Sequence, residues 1–203
     1  MKIAITGHKT SIAHEFLAWD WFPMGQPDLE IVNVSRGEPL PADADAYLFC
    51  QGYLAGKAAG EISSEEARQT WDDNFGSIAA DCDAIIDANL KARICIITSY
   101  SGIKGSFDSV YAGAKAAMNL YIQTKRLKYP GQQIVGIAPH IVWDSGMTQR
   151  RDDLRDLAER AEFRRRGEWI KAEDVAKLAH FLLFCDSGNI TNVVIPVTGG
   201  LEE

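Results

Sequence analysis

The sequence has little of what would place it on a nucleic acid or in a membrane. Lysine and arginine number 21 against 28 aspartates and glutamates, which gives a net charge of −7 over 203 residues. A domain that binds the phosphate backbone is normally basic, so nucleic acid is disfavoured as a partner. No apolar run approaches the roughly 20 residues that cross a bilayer, and the first residues contain no apolar signal-peptide core. These absences predict a cytoplasmic protein with no membrane partner.

Cysteine is scarce and scattered. The four cysteines are Cys50, Cys82, Cys95 and Cys185; they form no C-x-x-C pair, and each lies in an apolar stretch. Zinc sites need clustered ligands, so no metal site is predicted. Buried thiols that act as small hydrophobic side chains in a reducing compartment agree better with this pattern.

The chain alternates between strand-like and helix-like segments. Six short apolar runs, most of them rich in Val and Ile, occur at 2–6, 30–34, 46–50, 94–98, 134–138 and 193–197. Helical patterns occupy 11–21, 63–89, 109–128, 152–165 and 171–185. Nearly continuous apolar strands between helices are typical of a doubly wound parallel sheet with helices on both faces. The sequence therefore predicts a single α/β domain over residues 1–203.

The turn after the first strand is a candidate phosphate site. Gly7 follows this strand, and the helical pattern begins at Ser11. Such a turn presents free backbone N–H groups and the positive end of the helix dipole, which suits a pyrophosphate. Ser11 and Ala13 stand where nucleotide-binding turns usually carry glycine; Ala13 would still permit close packing, and Ser11 would cap the helix. Many α/β proteins have such a turn without a nucleotide.

A basic residue follows the second strand. An acid here is typical of NAD sites, where it binds the ribose 2′-hydroxyl, and arginine is typical of NADP sites. Arg36 occupies this region with no acid before Glu38, and His8 and Lys9 would lie nearby on the first turn. Arg36 therefore favours NADP(H), with a solvated surface arginine as the alternative.

Tyrosine and lysine recur four residues apart at two places. Tyr111 and Lys115 share one helix face, and a nearby ammonium lowers a phenol pKa enough to make it a usable proton donor. Tyr121 and Lys125 repeat the spacing in mid-helix, about 80° away from the first pair, and are interpreted as structural or surface residues.

Two further polar residues complete the candidate set. Ser99 ends a buried strand, where open α/β sheets bind ligands, although a serine there is often a simple turn former. Asn74 lies on the apolar stripe of its helix, where its amide must find partners. It belongs either to the structure or to a polar relay.

Together these features resemble the short-chain dehydrogenase/reductase family along nearly the whole chain. Four residues match the family's active-site positions in order and at near-usual separations: Asn74, Ser99, Tyr111 and Lys115. Residues 49–52 stand at the family's Asn-Asn-Ala-Gly segment, residues 139–142 at its Pro-Gly segment, and residues 197–200 at its closing Gly-Gly. No single motif is specific, but the ordered set is.

The sequence departs from the family pattern at several points. Ser11 and Ala13 replace glycines, residues 49–52 are mostly rewritten, and His140 replaces the glycine of the Pro-Gly pair. The third strand and its helix are missing between 34 and 46. We therefore expect a Rossmann-like sheet of about six strands, with adenine binding that is looser or completed differently.

The resemblance implies an oxidoreductase that transfers hydride to a small-molecule carbonyl, or from the alcohol. Tyr111 would donate the proton, Lys115 would lower its pKa and bind the nicotinamide ribose, and Ser99 would bind the substrate carbonyl. Asn74 would anchor a water that relays protons. The implied binding residues for NADP(H), preferred over NAD(H), are Gly7, His8, Lys9, Ser11, Ile12, Arg36, Gln51, Gly52, Lys115, Pro139, Ile141 and Val142.

Three functions are compatible with this pattern. An NADPH-dependent carbonyl reductase is the leading hypothesis. A non-catalytic dinucleotide-binding sensor or scaffold on the same fold is the main alternative, favoured by the altered glycine turn. A nucleotide-sugar epimerase or dehydratase usually needs an added substrate domain, for which no residues are left.

The resemblance also gives expectations for the lid and the assembly. Residues 144–167 stand at the family's substrate lid, and 150–166 hold seven arginines and five acids. They form either a clamp for an anionic substrate or a solvated helix with i,i+4 ion pairs. Phe107, Trp143 and Met147 would line an apolar substrate wall or belong to the core. A homodimer or homotetramer through helices 63–89 and 109–128 is expected.

Overall fold

The computed structural model describes residues 1–18, 29–150, 154–160, 168–185 and 187–200. The strands are β1 (Lys2–Thr6), β2 (Glu30–Val34), β3 (Ala46–Phe49), β4 (Arg93–Ile97), β5 (Gln133–Pro139) and β6 (Val193–Val197). The helices are α1 (Ser11–Ala18), α2 (Ser64–Trp71), α3 (Ser77–Ala88), α4 (Ser101–Lys104), α5 (Ser109–Thr124), α6 (Gly146–Gln149), α7 (Leu154–Arg160) and α8 (Ala172–Phe184). A 3₁₀ turn spans Ala59–Glu61, and a π-helical segment, Asp72–Gly76, joins α2 to α3.

All six strands lie in one parallel sheet. Their order is β2-β1-β3-β4-β5-β6. The chain adds β2 on one side of β1 and then β3 to β6 on the other side, so the strand order reverses between β1 and β3. Residues 35–45 connect the edge strand β2 to β3 without a strand of their own. The predicted six-stranded, doubly wound α/β sheet without a strand between 34 and 46 is therefore confirmed.

The two faces of the sheet carry separate apolar cores. Alternate strand residues point to opposite faces, so Ile3 and Ile5 pack with α1 and α8, whereas Ala4 packs on the other face. That second face holds buried side chains of α3 and α5, including Ile78 and Met118. Both faces are covered, which explains why the strands are apolar along nearly their whole length.

The predicted helix over 63–89 is not continuous. Its N-terminus has a capping box, in which Ser63 accepts from the backbone N–H of Glu66 and the Glu66 carboxylate accepts from the backbone N–H of Ser63. The π segment then interrupts the α-helical hydrogen-bonding pattern after Trp71. Single π turns inside helices are frequent at functional sites, and this one contains Asn74.

Several other predicted boundaries change. The helix predicted over 109–128 ends at Thr124, and the helix predicted over 171–185 spans Ala172–Phe184. Thr10, not Ser11, caps α1: the Thr10 hydroxyl accepts from the Ala13 N–H at 3.3 Å, while the Ser11 hydroxyl donates to the carbonyl of Asp144. The predicted helices over 11–21 and 152–165 extend beyond the described residues.

Three of the four thiols are buried, and none of the four is in a disulfide. Within the described ranges, no group of three or more His, Cys, Asp or Glu side chains is arranged to hold a metal ion. Among these same residues, no helix is both long enough and apolar enough to span a bilayer.

Candidate active site

Two adjoining cavities open at the carboxyl ends of the strands. The larger, of about 1160 Å³, lies over β3, β4 and β5, and the smaller, of about 420 Å³, lies between the ends of β1 and β2. Lys9, Thr10, Gln51 and Gly52 line both cavities. Open α/β sheets bind ligands at this edge, where the strand order reverses.

Tyr111 enters the larger cavity from the first turn of α5. The buried Asp108 carboxylate caps this helix by accepting from the Tyr111 N–H at 2.9 Å, and the Gly56 N–H also points to it at 3.4 Å. Burial raises the pKa of the Tyr111 phenol, and the neighbouring Ser99 hydroxyl partly offsets that rise. The phenol is therefore protonated at neutral pH and able to donate.

Lys115 lies one helical turn beyond Tyr111 and is almost completely buried. Its ammonium donates to the carbonyl of Ile97 at 3.1 Å and lies 5.8 Å from the centre of the Tyr111 ring. Burial lowers the pKa of Lys115 to about 8. Burial also raises the pKa of the nearby Cys50 thiol to about 12, so no thiolate pairs with the lysine at neutral pH.

Ser99 follows β4 and lines the same cavity as Tyr111 and Lys115. Its oxygen accepts from the backbone N–H of Ser101 at 3.2 Å, which fixes the side chain at the start of α4. A hydroxyl held beside a phenol can donate to an oxygen that the phenol also contacts.

Asn74 lies in the π segment and is fully buried. Its amide nitrogen donates to the carbonyls of Tyr53 and Thr70, both at 2.7 Å. Its Oδ1 atom is buried with no hydrogen-bond partner among the described residues. A methyl group added to Gly52 would lie 2.9 Å from that Oδ1 and 3.6 Å from the Lys115 ammonium. Asn74 and Lys115 therefore converge on one small space beside Gly52.

The turn after β1 is built against the segment after β3. Gly7 has φ +65°, and a side chain there would place its Cβ 2.4 Å from the backbone nitrogen of Gln51. The Thr6 hydroxyl donates to the Gln51 side chain and joins the two segments further. His8 and Lys9 line the smaller cavity, while Ser11 and Ile12 line the larger one. The His8 Nδ1 atom is buried and has no partner among the described residues.

Arg36 lines the smaller cavity but is not free. Its guanidinium contacts both carboxylates at the start of the π segment, 2.9 Å from Asp73 and 3.0 Å from Asp72. Sequence reasoning found Arg36 and missed these partners, because ion pairs between residues about 36 positions apart leave no local pattern.

The loop after β5 supplies the far wall of the larger cavity. Pro139, His140 and Val142 line it, whereas Ile141 is not among the lining residues. His140 stacks on Trp169 with the rings 5.7 Å apart and 8° from parallel, and it also contacts the Tyr100 ring edge-on. The family's glycine position is therefore occupied by part of an aromatic cluster.

Two of the three predicted wall residues line the larger cavity. Phe107 and Met147 do so, together with Arg150, but Trp143 is not among the described lining residues. Most of the arginine-rich part of the expected lid, over 151–153 and 161–167, lies outside the described residues.

The second tyrosine–lysine pair lies elsewhere. Tyr121 donates to the Ala79 carbonyl and to Asp83, and Lys125 also binds Asp83. These contacts join α5 to α3, as the structural interpretation predicts.

Sequence reasoning overlooked Asp108 as a residue that positions the site. An acid immediately before a helical run is an N-cap signal, so Asp108 was detectable. Gln51 is among the predicted cofactor-binding residues, but its contact with Thr6 joins segments 45 residues apart, and no local pattern indicates that contact.

Comparison with known proteins agrees with this geometry. The 3-oxoacyl-(acyl-carrier-protein) reductase FabG of Chlamydia muridarum is 28% identical over 197 residues, 84% of this chain and 75% of the relative. The reductase of the same name from Chlamydia trachomatis is 31% identical over 156 residues, 69% of this chain and 58% of the relative. The alignment thus spans less than two thirds of this second relative. No family model matches the chain.

Solved structures show the same fold. A short-chain dehydrogenase/reductase from Brucella melitensis superposes with a TM-score of 0.84 at 17% identity, covering 100% of this chain and 96% of the other. BdcA, solved in complex with NADPH, gives 0.81 at 14% identity, with the same coverage of both chains.

The chain is thus similar in sequence to two bacterial 3-oxoacyl-(acyl-carrier-protein) reductases and in fold to short-chain dehydrogenase/reductases, and it fits a shortened member of that family. A nicotinamide cofactor is the family's redox group, and the residues present fit it. The two adjoining cavities follow the carboxyl edge from β2 to β5. The buried, unpartnered atoms of His8 and Asn74 provide polar groups at positions along this edge.

Proposed function

We propose that this protein is an NADPH-preferring reductase of a small-molecule carbonyl, with Asn74, Ser99, Tyr111 and Lys115 as its active-site residues. The observation that carries the proposal is the meeting of Ser99, Tyr111 and Lys115 at one end of the larger cavity, with Asn74 beside Lys115. A proton donor, a hydroxyl and a buried ammonium beside a cavity suit the reduction of a C=O group.

A bound nicotinamide cofactor would supply the hydride. Tyr111 donates its proton to the substrate oxygen and so completes the alcohol. The charged Lys115 stabilises the phenolate that remains, and Ser99 donates a hydrogen bond to the same substrate oxygen as negative charge develops. Asn74 holds, through its free Oδ1, a water that returns a proton towards Lys115.

The proposed cofactor site uses the residues that line the carboxyl edge. Gly7, His8, Lys9, Ser11 and Ile12 would hold the phosphates and adenosine, and Arg36 would favour NADP(H) over NAD(H). Gln51, Gly52, Pro139 and Val142 would hold the nicotinamide half with Lys115. The NADPH complex of a protein with the same fold supports a nicotinamide cofactor.

The test is a turnover assay that follows NADPH oxidation with a panel of aldehydes, ketones and 3-oxoacyl thioesters. The panel includes 3-oxoacyl thioesters because the two similar bacterial proteins are 3-oxoacyl-(acyl-carrier-protein) reductases. Tyr111→Phe is expected to lower kcat by about 10²- to 10⁴-fold, the usual contribution of a general acid, while NADPH affinity stays within about two-fold. Tyr121→Phe is the matched control and retains the wild-type rate. Equal rates in wild type and Tyr111→Phe would overturn the assignment.

The second candidate is a dinucleotide-binding sensor without turnover. Ser11 and Ala13 favour it, because they change the turn that usually holds the pyrophosphate. NADPH binding without turnover of any panel member by the wild type would favour the sensor.

We also propose a single domain, an assembly of identical subunits and a cytoplasmic location. All described strands share one sheet, which supports one nucleotide-binding domain over residues 1–203. Exposed apolar side chains on α2 and α5 support a homodimer or homotetramer through the helices over 63–89 and 109–128. The proposed location is the cytoplasm, a reducing compartment in which the buried thiols remain reduced.

A further inference from the structure

Arg36 is held by two carboxylates at the rim of the smaller cavity. Its Nη1 and Nη2 atoms face the two oxygens of Asp73 at 3.2 and 2.9 Å, which is a bidentate pair. Nη2 also donates to Asp72 at 3.0 Å. The Asp73 side chain is only 15% exposed, against 55% for Asp72. Bidentate arginine–carboxylate pairs are the stronger and more directional kind, so Asp73 is the main partner.

The π segment places both carboxylates beside Arg36. Asp72 and Asp73 are its first two residues, and Asn74 is the third. The Gln69 amide, one turn earlier, also donates to Asp73 at 3.5 Å. The π segment therefore directs Asp72 and Asp73 towards the proposed adenosine end of the site, and Asn74 towards the proposed catalytic end, along the carboxyl edge of the sheet.

Acids also outnumber bases around the smaller cavity. The charged side chains that line it are Lys9, Arg36, Glu38, Asp73 and Asp81. Burial raises the pKa of Asp81, and no ion pair involves it among the described residues. Because carboxylates predominate, this cavity disfavours the binding of a further negatively charged group unless Arg36 is available to pair with that group.

NADPH and NADH differ at this end by one phosphate on the adenosine ribose. A 2′-phosphate carries nearly two negative charges at neutral pH and has to share the guanidinium with Asp72 and Asp73, or displace them. A 2′-hydroxyl is neutral and requires no such rearrangement. The ion pairs therefore oppose binding of NADPH and leave binding of NADH almost unaffected.

We propose that Asp73, assisted by Asp72, sets the cofactor specificity of this protein by holding Arg36 in competition with the 2′-phosphate of NADPH. Asp73 is then a specificity-determining residue, because its ion pair with Arg36 reduces the preference for NADPH over NADH that Arg36 would otherwise give. This inference rests on the proposed dinucleotide site.

The test measures the dissociation constants of NADPH and NADH for wild type, Asp73→Asn and Asp72→Asn. Asp73→Asn keeps the shape of the side chain and removes its charge. The affinity ratio of NADPH over NADH is expected to rise about three-fold in Asp73→Asn and less in Asp72→Asn, the size of a partly exposed ion pair. The NADH constant stays close to wild type and so verifies that the variant is folded.

Two further variants isolate the ion pair. In an Arg36→Ala background, Asp73→Asn should no longer change the ratio, because the carboxylate acts through Arg36. Asp81→Asn removes a charge from the same cavity without touching Arg36 and should change the ratio less than Asp73→Asn does. Binding of 2′,5′-ADP, which carries the same phosphate, should strengthen in parallel with NADPH.

The outcomes separate this inference from the proposed function. A rise in the ratio that disappears in Arg36→Ala supports the inference. An unchanged or lower ratio in Asp73→Asn, or an equal rise in Asp81→Asn, overturns the inference while dinucleotide binding stands. A wild type that binds neither NADPH, NADH nor 2′,5′-ADP overturns both.

Discussion

At the scale of single residues, Lys115 shows how the site opposes stability. Its side chain is 3% exposed and makes one described hydrogen bond, to the Ile97 carbonyl. Burial lowers its pKa to about 8 from 10.5, and a shift of that size corresponds to a cost of about 3 kcal/mol for keeping the amine charged in the fold. A residue selected only for packing would not be a lysine.

Lys115→Met is therefore expected to stabilise the protein at pH 7 while it abolishes turnover. After about 1 kcal/mol is subtracted for the lost hydrogen bond, the gain is about 2 kcal/mol, which raises Tm by roughly 4–8 °C. Thermal unfolding followed by circular dichroism measures it. Lys125→Met on the same helix is the control, since Lys125 is partly exposed and paired with Asp83, and it should give no gain.

The pH dependence of this gain has a definite sign. Between pH of about 8 and 10.5, unfolded Lys115 keeps a proton that the folded protein has released. The wild type is therefore expected to gain stability relative to Lys115→Met as pH rises through this window. Chemical denaturation at several pH values tests it, and a gap between the two proteins that widens with pH would contradict the account.

At the scale of elements, the start of α5 positions Tyr111, the proposed proton donor. Asp108 is fully buried, and its carboxylate binds the Tyr111 backbone N–H. Asp108 and Tyr111 are three residues apart on one turn, so loss of the cap is expected to loosen the turn that carries Tyr111.

Asp108→Ala should cost about 1–2 kcal/mol of stability, the usual range for an N-cap, and should lower kcat more than it raises KM. Asp108→Asn keeps an acceptor oxygen and should recover most of both quantities. Denaturant titration and steady-state kinetics make the measurement. Equal kcat values in Asp108→Ala and the wild type would show that the cap does not position Tyr111.

The strands follow from local sequence because each is a short apolar run, and all six lie within one or two residues of their predicted ends. The helix ends depend on distant contacts. The Asn192 amide, from the segment before β6, donates to the carbonyls of Ile122 and Lys125. Those bonds satisfy the end of α5, and no pattern within 109–128 indicates them.

The π segment was equally hidden. In this segment, side chains donate hydrogen bonds to backbone carbonyls: the Asn74 amide donates to the Thr70 carbonyl and the Ser77 hydroxyl to the Asp72 carbonyl. Such insertions into the helical hydrogen-bond ladder cause irregular turns. The sequence pattern correctly predicts that Asn74 faces the core within 63–89. The pairing of Asp72 and Asp73 with Arg36 is visible only in the folded structure.

At the scale of the whole molecule, the sheet is doubly wound and its two faces are covered, yet apolar side chains remain exposed on the outer surface of the α2 and α5 layer. Leu120 is 61% exposed and Trp71 is 45% exposed. Exposed apolar patches on helices commonly mark interfaces between subunits.

Leu120→Arg is therefore expected to convert the proposed dimer or tetramer to a smaller species, because it places a charge in the buried interface. Sedimentation velocity at micromolar concentration measures this. Phe181→Arg is the control, because Phe181 is 45% exposed but lies on α8, which packs on the opposite face of the sheet. A monomeric wild type would contradict the assembly.

The most direct test of the central claim is a fluorescence titration with NADPH and NADH, using tryptophan as the energy donor. Trp169 stacks on His140, which lines the larger cavity, so a nicotinamide bound there lies close to a donor. The account predicts energy transfer to both cofactors, tighter binding of NADPH, and loss of that preference in Arg36→Ala. No binding of either nucleotide would contradict it and would leave the fold without the proposed redox function.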